Sequence, residues 1–367
     1  MKKIKTIPTK QALLLVLSVA ILGVLWFYTF CHLPFQETSL AIDWKVLWRD
    51  TFHGQVVYGR PGGLFLPPWG LLILIPLTYL PLCIGWGVMA LWAFGGAFVW
   101  APPWNSWRKH LPSLLVLLAA FPLLRQLADG NIEGLILGGL WLSWLGVRDE
   151  KPAWVALGAA LASLKPQVST LVLLYLGFQM VRTWKRKNLF RVGIPLLALI
   201  ALTMLWQGKA WLAALFPADG LSAQMGRGML WDMSWWTTAS RWGISPGLQI
   251  LGALLLLWLG GLFWKKIGRT HPWTPGMALT LVGINLLLSP YAAANSFLDV
   301  LVIGFTSLSA AGFTFLAWAA VLVADVPLLR SPAWRYAHSS NWYTGETLAL
   351  LALFWLLTLL SQKGTRQ

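Results

Sequence analysis

The chain has 367 residues, 57% hydrophobic and 11% charged, with a formal net charge of +16 and a mean hydropathy of +0.66. Soluble domains carry about 25% charged residues, so the composition excludes an ordinary soluble enzyme and points to an all-α polytopic membrane protein. The basic excess does not indicate nucleic-acid binding, because Lys and Arg sit in short clusters between apolar runs, where they serve as topology determinants and lipid-headgroup contacts.

In chain order, Lys2, Lys3, Lys5 and Lys10 precede the apolar run Ala12–Phe30. That run exceeds the core of a signal peptide, about 7–15 residues, and no small-x-small cleavage site follows it. An uncleaved first span with a cytoplasmic N-terminus is expected. The first outer loop, 32–81, opens with the polar stretch 40–54. At roughly 100° per residue, Leu40, Trp44, Leu47 and Trp48 share one helical face, with Lys45 and Arg49 opposite and Asp43 and Asp50 on one flank. This predicts an amphipathic helix lying in the membrane surface. An acidic flank there can deprotonate a hydroxyl; it equally fits a solvated face.

The run Leu64–Leu80 is interrupted by Pro67, Pro68 and Pro76. If it crossed the bilayer, the basic cluster Arg182–Arg191 would face outward, against the positive-inside rule. It therefore reads as a broken or re-entrant outer element packed on protein. Further apolar runs bring the expectation to about ten or eleven transmembrane helices in a single domain over 1–367. The run Phe297–Val323 fits one long span or two short ones. Four polar stretches then share the outer face: the first loop, the turn Arg125–Glu133, the turn Lys165–Gln167 and the long loop Gln207–Gly243. The turn Ser289–Ser296 joins them.

These stretches hold the candidate chemistry. Lys165 can neutralise a lipid phosphate in a partly desolvated cleft, although a lysine near a span end also snorkels. Asn131 and Glu133 stand at a span's outer end, where a glycine turn needs no function. Asp232 and Arg241, set among tryptophans, suit a carbohydrate or headgroup cleft and equally an interfacial aromatic belt. No zinc-protease, phosphate-loop or nucleophile-elbow motif is present, so neither metal nor cofactor is expected. Cys31 and Cys83 form no framework; one disulfide is compatible with their positions, and buried free thiols are the expected state. Most of the 26 tryptophans are expected at the membrane interfaces.

The order of motifs is an aspartate in the first outer loop, Tyr58, Phe65-Leu-Pro-Pro68, Pro76-Leu-Thr-Tyr-Leu-Pro81, a Gly-polar turn, Lys165-Pro-Gln167 and then Ser289-Pro290. From about Asp43 to Asn295 this resembles the integral-membrane glycosyltransferases of GT-C fold, specifically glycosyltransferase family 87, the polyprenol-phosphate-mannose-dependent α-mannosyltransferases. The resemblance implies a GT-C-like fold and Asp43 as general base. It also implies Lys165 near the donor phosphate and Gly130-Asn131 in the place of the family's Gly-Gln turn. Two departures stand out: asparagine replaces glutamine in that turn, and no histidine follows Ser289-Pro290, where Tyr291 and Asn295 are the polar residues present.

The expected activity is transfer of a hexose, mannose first, from a polyprenyl-phosphate donor to a glycolipid, glycan or other hydroxyl acceptor, at the extracytoplasmic face of the cell membrane and with inversion. Asp43 is the expected catalytic residue. Asp50, Tyr58, Arg60, Asn131, Glu133, Lys165, Gln167, Asp232, Arg241, Tyr291 and Asn295 are the expected substrate contacts, with Lys45 and Arg49 keeping Asp43 ionised. The alternatives are a transporter or flippase of a lipid-linked substrate, and a catalytically lapsed scaffold of the same fold. Transporters usually place ionisable residues near the midplane and carry internal repeats; here these residues lie in loops or near span ends.

Overall fold

The computed structural model describes residues 9–34, 38, 40–60, 64–102, 107–215, 231–269 and 273–364. Among them there is no strand, only helices and two isolated bridges, Tyr58 with Leu64 and Asp232 with Ala293. The all-α membrane expectation holds, and its reason is elementary: in hydrocarbon a helix satisfies its own backbone.

The first half comprises α1 (Thr9–His32), α2 (Ile42–Asp50), α3 (Pro68–Leu77), α4 (Leu82–Trp100), α5 (Trp107–Ala119), α6 (Phe121–Asp129), α7 (Glu133–Arg148), α8 (Pro152–Ala162) and α9 (Pro166–Thr183). Then come α10 (Arg186–Thr203), running through a π turn into α11 (Lys209–Leu215), and α12 (Trp235–Arg241) and α13 (Pro246–Phe263). The chain ends with α14 (Pro275–Leu288), α15 (Phe297–Ala310), α16 (Thr314–Ala324) and α17 (Pro332–Gly364).

Among the described residues four helices are long and apolar enough to cross a bilayer: Leu82–Trp100, Arg186–Leu215, Pro246–Gly268 and His338–Leu360. A fifth forms if His110–Ala119 and Phe121–Asp129, bent by 69°, count as one broken span. That is fewer full-length spans than the composition suggests, because several apolar runs are cut into helices of 10–17 residues. The run Leu64–Leu80 is one of these. Its helix α3 has ten residues, about 15 Å of rise against a hydrocarbon core of about 30 Å. Pro68, Gly70, Leu71 and Leu74 are buried against protein. Phe297–Val323 is likewise two helices, broken at Gly312 with φ +88°.

Small residues set the closest helix contacts, as they do where lipid offers no hydrophobic drive to association. A Cβ on Gly139 would stand 2.5 Å from the Ala162 nitrogen, and one on Gly158 2.5 Å from the Ser143 nitrogen, so α7 and α8 touch backbone to backbone. Gly96 meets Gly134 in the same way across α4 and α7. The N-terminus of α7, which carries Glu133, is thereby held at fixed depth.

Several tryptophans are core struts, apart from the majority expected at the interfaces. Trp44, Trp86 and Trp100 are fully buried. Their indoles donate to the carbonyls of Leu82, Leu127 and Leu137 at 2.8, 2.9 and 2.9 Å. A buried indole needs such an acceptor. The cysteines also depart from expectation: Cys31 and Cys83 form a disulfide tying the end of α1 to the start of α4. The spacing of 52 residues concealed a Cα separation of 4.9 Å.

Candidate active site

Asp43 is positioned by an interlock between the first loop and the α6–α7 turn. The residue before its helix, Ala41, is fully buried in the left-handed region at φ 53° and donates its N–H to the Ala128 carbonyl at 2.7 Å. A non-glycine residue persists there only where surrounding contacts impose it. The apolar face of α2 is therefore packed on protein at Trp44 and does not simply rest on the membrane. Trp44 lies against Gly85 and Gly130; a Cβ on Gly130, at φ +69°, would come within 2.8 Å of Trp44 and 2.9 Å of Trp86. Glycine is required by both conformation and space.

The interlock brings four distant segments to one point. Asp43 Oδ2 accepts from the Asn131 amide at 2.5 Å and from the Asn295 amide at 3.3 Å. Asn131 Oδ1 accepts from Lys165 Nζ at 3.2 Å. Lys165 also donates to Glu133 Oε1 at 2.5 Å, and Ser296 donates to the same oxygen at 2.8 Å. The Glu133 side chain is fully buried and that of Lys165 is 12% exposed. Among the described residues Asp43 Oδ1 has no hydrogen-bond partner, and Asp43 is only half-buried. One oxygen is anchored and the other is open, the arrangement a general base requires. The groups that hold Asp43 are amides, not the expected cations. Lys45 donates to the Thr38 carbonyl at 3.1 Å, and Arg49 pairs with Asp50 at 2.7 Å.

Other expected contacts are occupied within the fold. Asp50 is fully buried and accepts from Arg49, from Arg60 at 3.1 Å and from the Leu64 N–H at 3.1 Å. Tyr58 donates to the Leu66 carbonyl at 3.0 Å, and burial pushes its hydroxyl above the usual range. Asp232 accepts from the N–H groups of Ser234 and Ala292 at 2.9 and 3.1 Å and from the Thr237 hydroxyl at 2.6 Å. Arg241 donates to the Asp232 carbonyl, Ser340 and Asn341 at 3.1, 2.8 and 2.9 Å. Burial lowers its guanidinium pKa, with Asp232 opposing. Arg241 borders a cavity of about 480 Å³ together with Trp242, Trp334, His338, Asn341 and Trp342. No described contact joins this cavity to Lys165. Residues 207–243, expected as one loop, are helical at α11 and α12, and 216–230 lie outside the described residues.

Tyr291 stands between the two clusters. Burial first, then the charges of Asp232, Asp43 and Glu133, push its hydroxyl above the usual range, so it remains a neutral donor. The side chain of Gln167, half-buried beside Lys165, has no hydrogen bond among the described residues. Three residues were not among the expected contacts: Ser296 on Glu133, Gln126 donating to the Asn295 carbonyl at 2.9 Å, and fully buried Asp299. An acid in an apolar run is itself a functional signal and marks Asp299.

The model of glycosyltransferase family 87 matches residues 65–290, more than half of the chain. The chain belongs to glycosyltransferase family 87. The match spans Asn131, Glu133 and Lys165; Asp43, Asn295 and Ser296 lie outside it and reach the site through the fold. No curated protein and no solved structure matches the chain. Family and apolar helices together make it a membrane glycosyltransferase.

Proposed function

We propose that the protein transfers a hexose, mannose first, from a polyprenyl-phosphate donor to a hydroxyl acceptor, with inversion and with Asp43 as general base. The observation that carries this is the polar path Asp43–Asn131–Lys165, which separates an open carboxylate from a largely buried ammonium by one side chain. Asp43 Oδ1 takes the proton of the acceptor hydroxyl, whose oxygen forms the new bond to the anomeric carbon. The bond from that carbon to the phosphate oxygen breaks on the opposite side. The electron pair leaves with the lipid phosphate, where Lys165 offsets the added charge. Gln167, Tyr291 and Asn295 supply further donors at the rim. Asp50, Arg60, Tyr58, Asp232 and Arg241 act on substrate indirectly, by holding the first loop and the 289–296 turn, and membrane lipids surround the donor's entry.

The disulfide supports an extracytoplasmic site, because cysteines pair in oxidising compartments. Cys83 adjoins Leu82, whose carbonyl holds Trp44 beside Asp43. The GT-C-like architecture and cytoplasmic N-terminus are part of the same proposal.

The test is sugar transfer by the purified protein in nanodiscs, supplied with polyprenyl-phosphate-mannose or polyprenyl-phosphate-glucose and a panel of glycolipid acceptors. Transfer with an inverted anomeric centre, read by NMR of the product, supports the proposal. A retained centre contradicts it. Movement of intact donor across the bilayer of sealed proteoliposomes, without transfer, supports the transporter instead.

A further inference from the structure

Asp299 has no role in the chemistry above, and its surroundings call for one. It lies in the first turn of α15, three residues after Ser296, and is fully buried. Neither of its carboxyl oxygens meets a hydrogen-bond partner among the described residues, and Glu133 Oε2 is in the same condition. The charged groups that act on Asp299 are Glu133 and Lys165. Two buried carboxyls therefore act electrostatically on one ammonium, and only Glu133 touches it.

The charge count decides between two arrangements. If both acids are ionised, the group carries a net negative charge away from water, and Lys165 is more than neutralised. A phosphate approaching that lysine then meets repulsion, which the proposed reaction strengthens as the sugar leaves. If one acid keeps a proton, the three side chains are together neutral. The retained O–H also supplies one donor among three buried oxygens that have none, through a buried water. Glu133 already accepts from Lys165 and Ser296. Asp299 has no such contact, so the proton belongs there.

We propose that Asp299 is a positioning residue for Lys165: a neutral carboxylic acid that completes the Glu133–Lys165 pair with a proton, not with a second charge. The inference rests on the transferase reading for its consequence, phosphate binding at Lys165, but its protonation state can be measured without any substrate.

Two variants separate the arrangements. Asp299→Asn keeps a neutral donor of the same shape; Asp299→Leu keeps the volume and removes the donor. With the donor lipid that supports transfer, Asp299→Asn is expected to stay within about threefold of wild type in kcat and donor KM, and Asp299→Leu to raise donor KM about tenfold with a smaller change in kcat. The infrared difference spectrum of wild type minus Asp299→Asn in nanodiscs at neutral pH should contain a protonated-carboxyl C=O stretch that shifts in deuterium oxide. A difference spectrum showing only a carboxylate band overturns the proposal, as does an Asp299→Asn variant as impaired as Asp299→Leu. If Asp299→Leu does not fold, the spectrum and Asp299→Asn decide. If wild type transfers no sugar from any donor, the transferase reading fails while the spectrum still reports on Asp299.

Discussion

Two regions of the molecule pair an aspartate with a basic residue through intervening polar groups, and they are built to opposite ends. Around Asp232 every contact closes on the protein: two backbone N–H groups and a threonine hydroxyl fill its oxygens, and Arg241 is bound to a carbonyl, a serine and an asparagine. Around Asp43 the closure is incomplete. One carboxylate oxygen is anchored by two amides and the other is left open, with buried acceptor atoms unpartnered on Glu133, Asn295 and Asp299. A satisfied polar network fixes structure, whereas each unsatisfied buried group in a native fold calls for its own explanation, such as a retained proton, a water or a ligand. Composition by itself points to the closed region. The tryptophan-rich stretch around Asp232 looks more like a sugar cleft than the stretch around Asp43 does.

The comparison can be broken by substitution. Asp43→Asn should lower transfer about a thousandfold, within the range of a lost general base, while fluorescence-detected donor binding changes little. Lys165→Met should follow at about a hundredfold, with donor KM raised. It also leaves Glu133 buried without its cation, at a cost of about 3–5 kcal/mol, so thermal unfolding of the same sample must be followed. Gly130→Ala forces a side chain into the left-handed turn and against Trp44 and Trp86. It should destabilise the protein by about 1–3 kcal/mol and reduce transfer through displacement of Asn131, seen as a lowered Tm. Asp232→Asn should cost about 1–2 kcal/mol of stability and leave transfer per folded molecule within about twofold of wild type.

Much of the site was legible because its residues carry local signals. Asp43 and Lys165 are charges set between apolar runs, and Asn131 and Glu133 follow a glycine turn at a span's end. The sequence could not tell that Asp50 and Arg60 bind each other, since a surface charge and a buried strut look alike without burial. Asp299 was hidden for the opposite reason. It lies in the first turn of a helix, where an acid favourably meets the helix dipole, and this competes with the functional signal of an acid in an apolar run. The fold was readable as helical, and the proline-broken run Leu64–Leu80 holds a short helix with one face buried on protein. The disulfide and the inward tryptophans were not readable. Both depend on which helix ends meet, and hydropathy does not carry that information.

The central claim, that one of these two carboxylates performs chemistry and the other holds structure, is tested most directly by single-turnover transfer in matched nanodiscs for wild type, Asp43→Asn and Asp232→Asn. Each sample would be loaded with donor and its bound fraction measured first. The account predicts a full donor complement and almost no product in Asp43→Asn, with near wild-type product per folded molecule in Asp232→Asn. Product formed by Asp43→Asn at the wild-type rate, or lost in a well-folded Asp232→Asn, would contradict it.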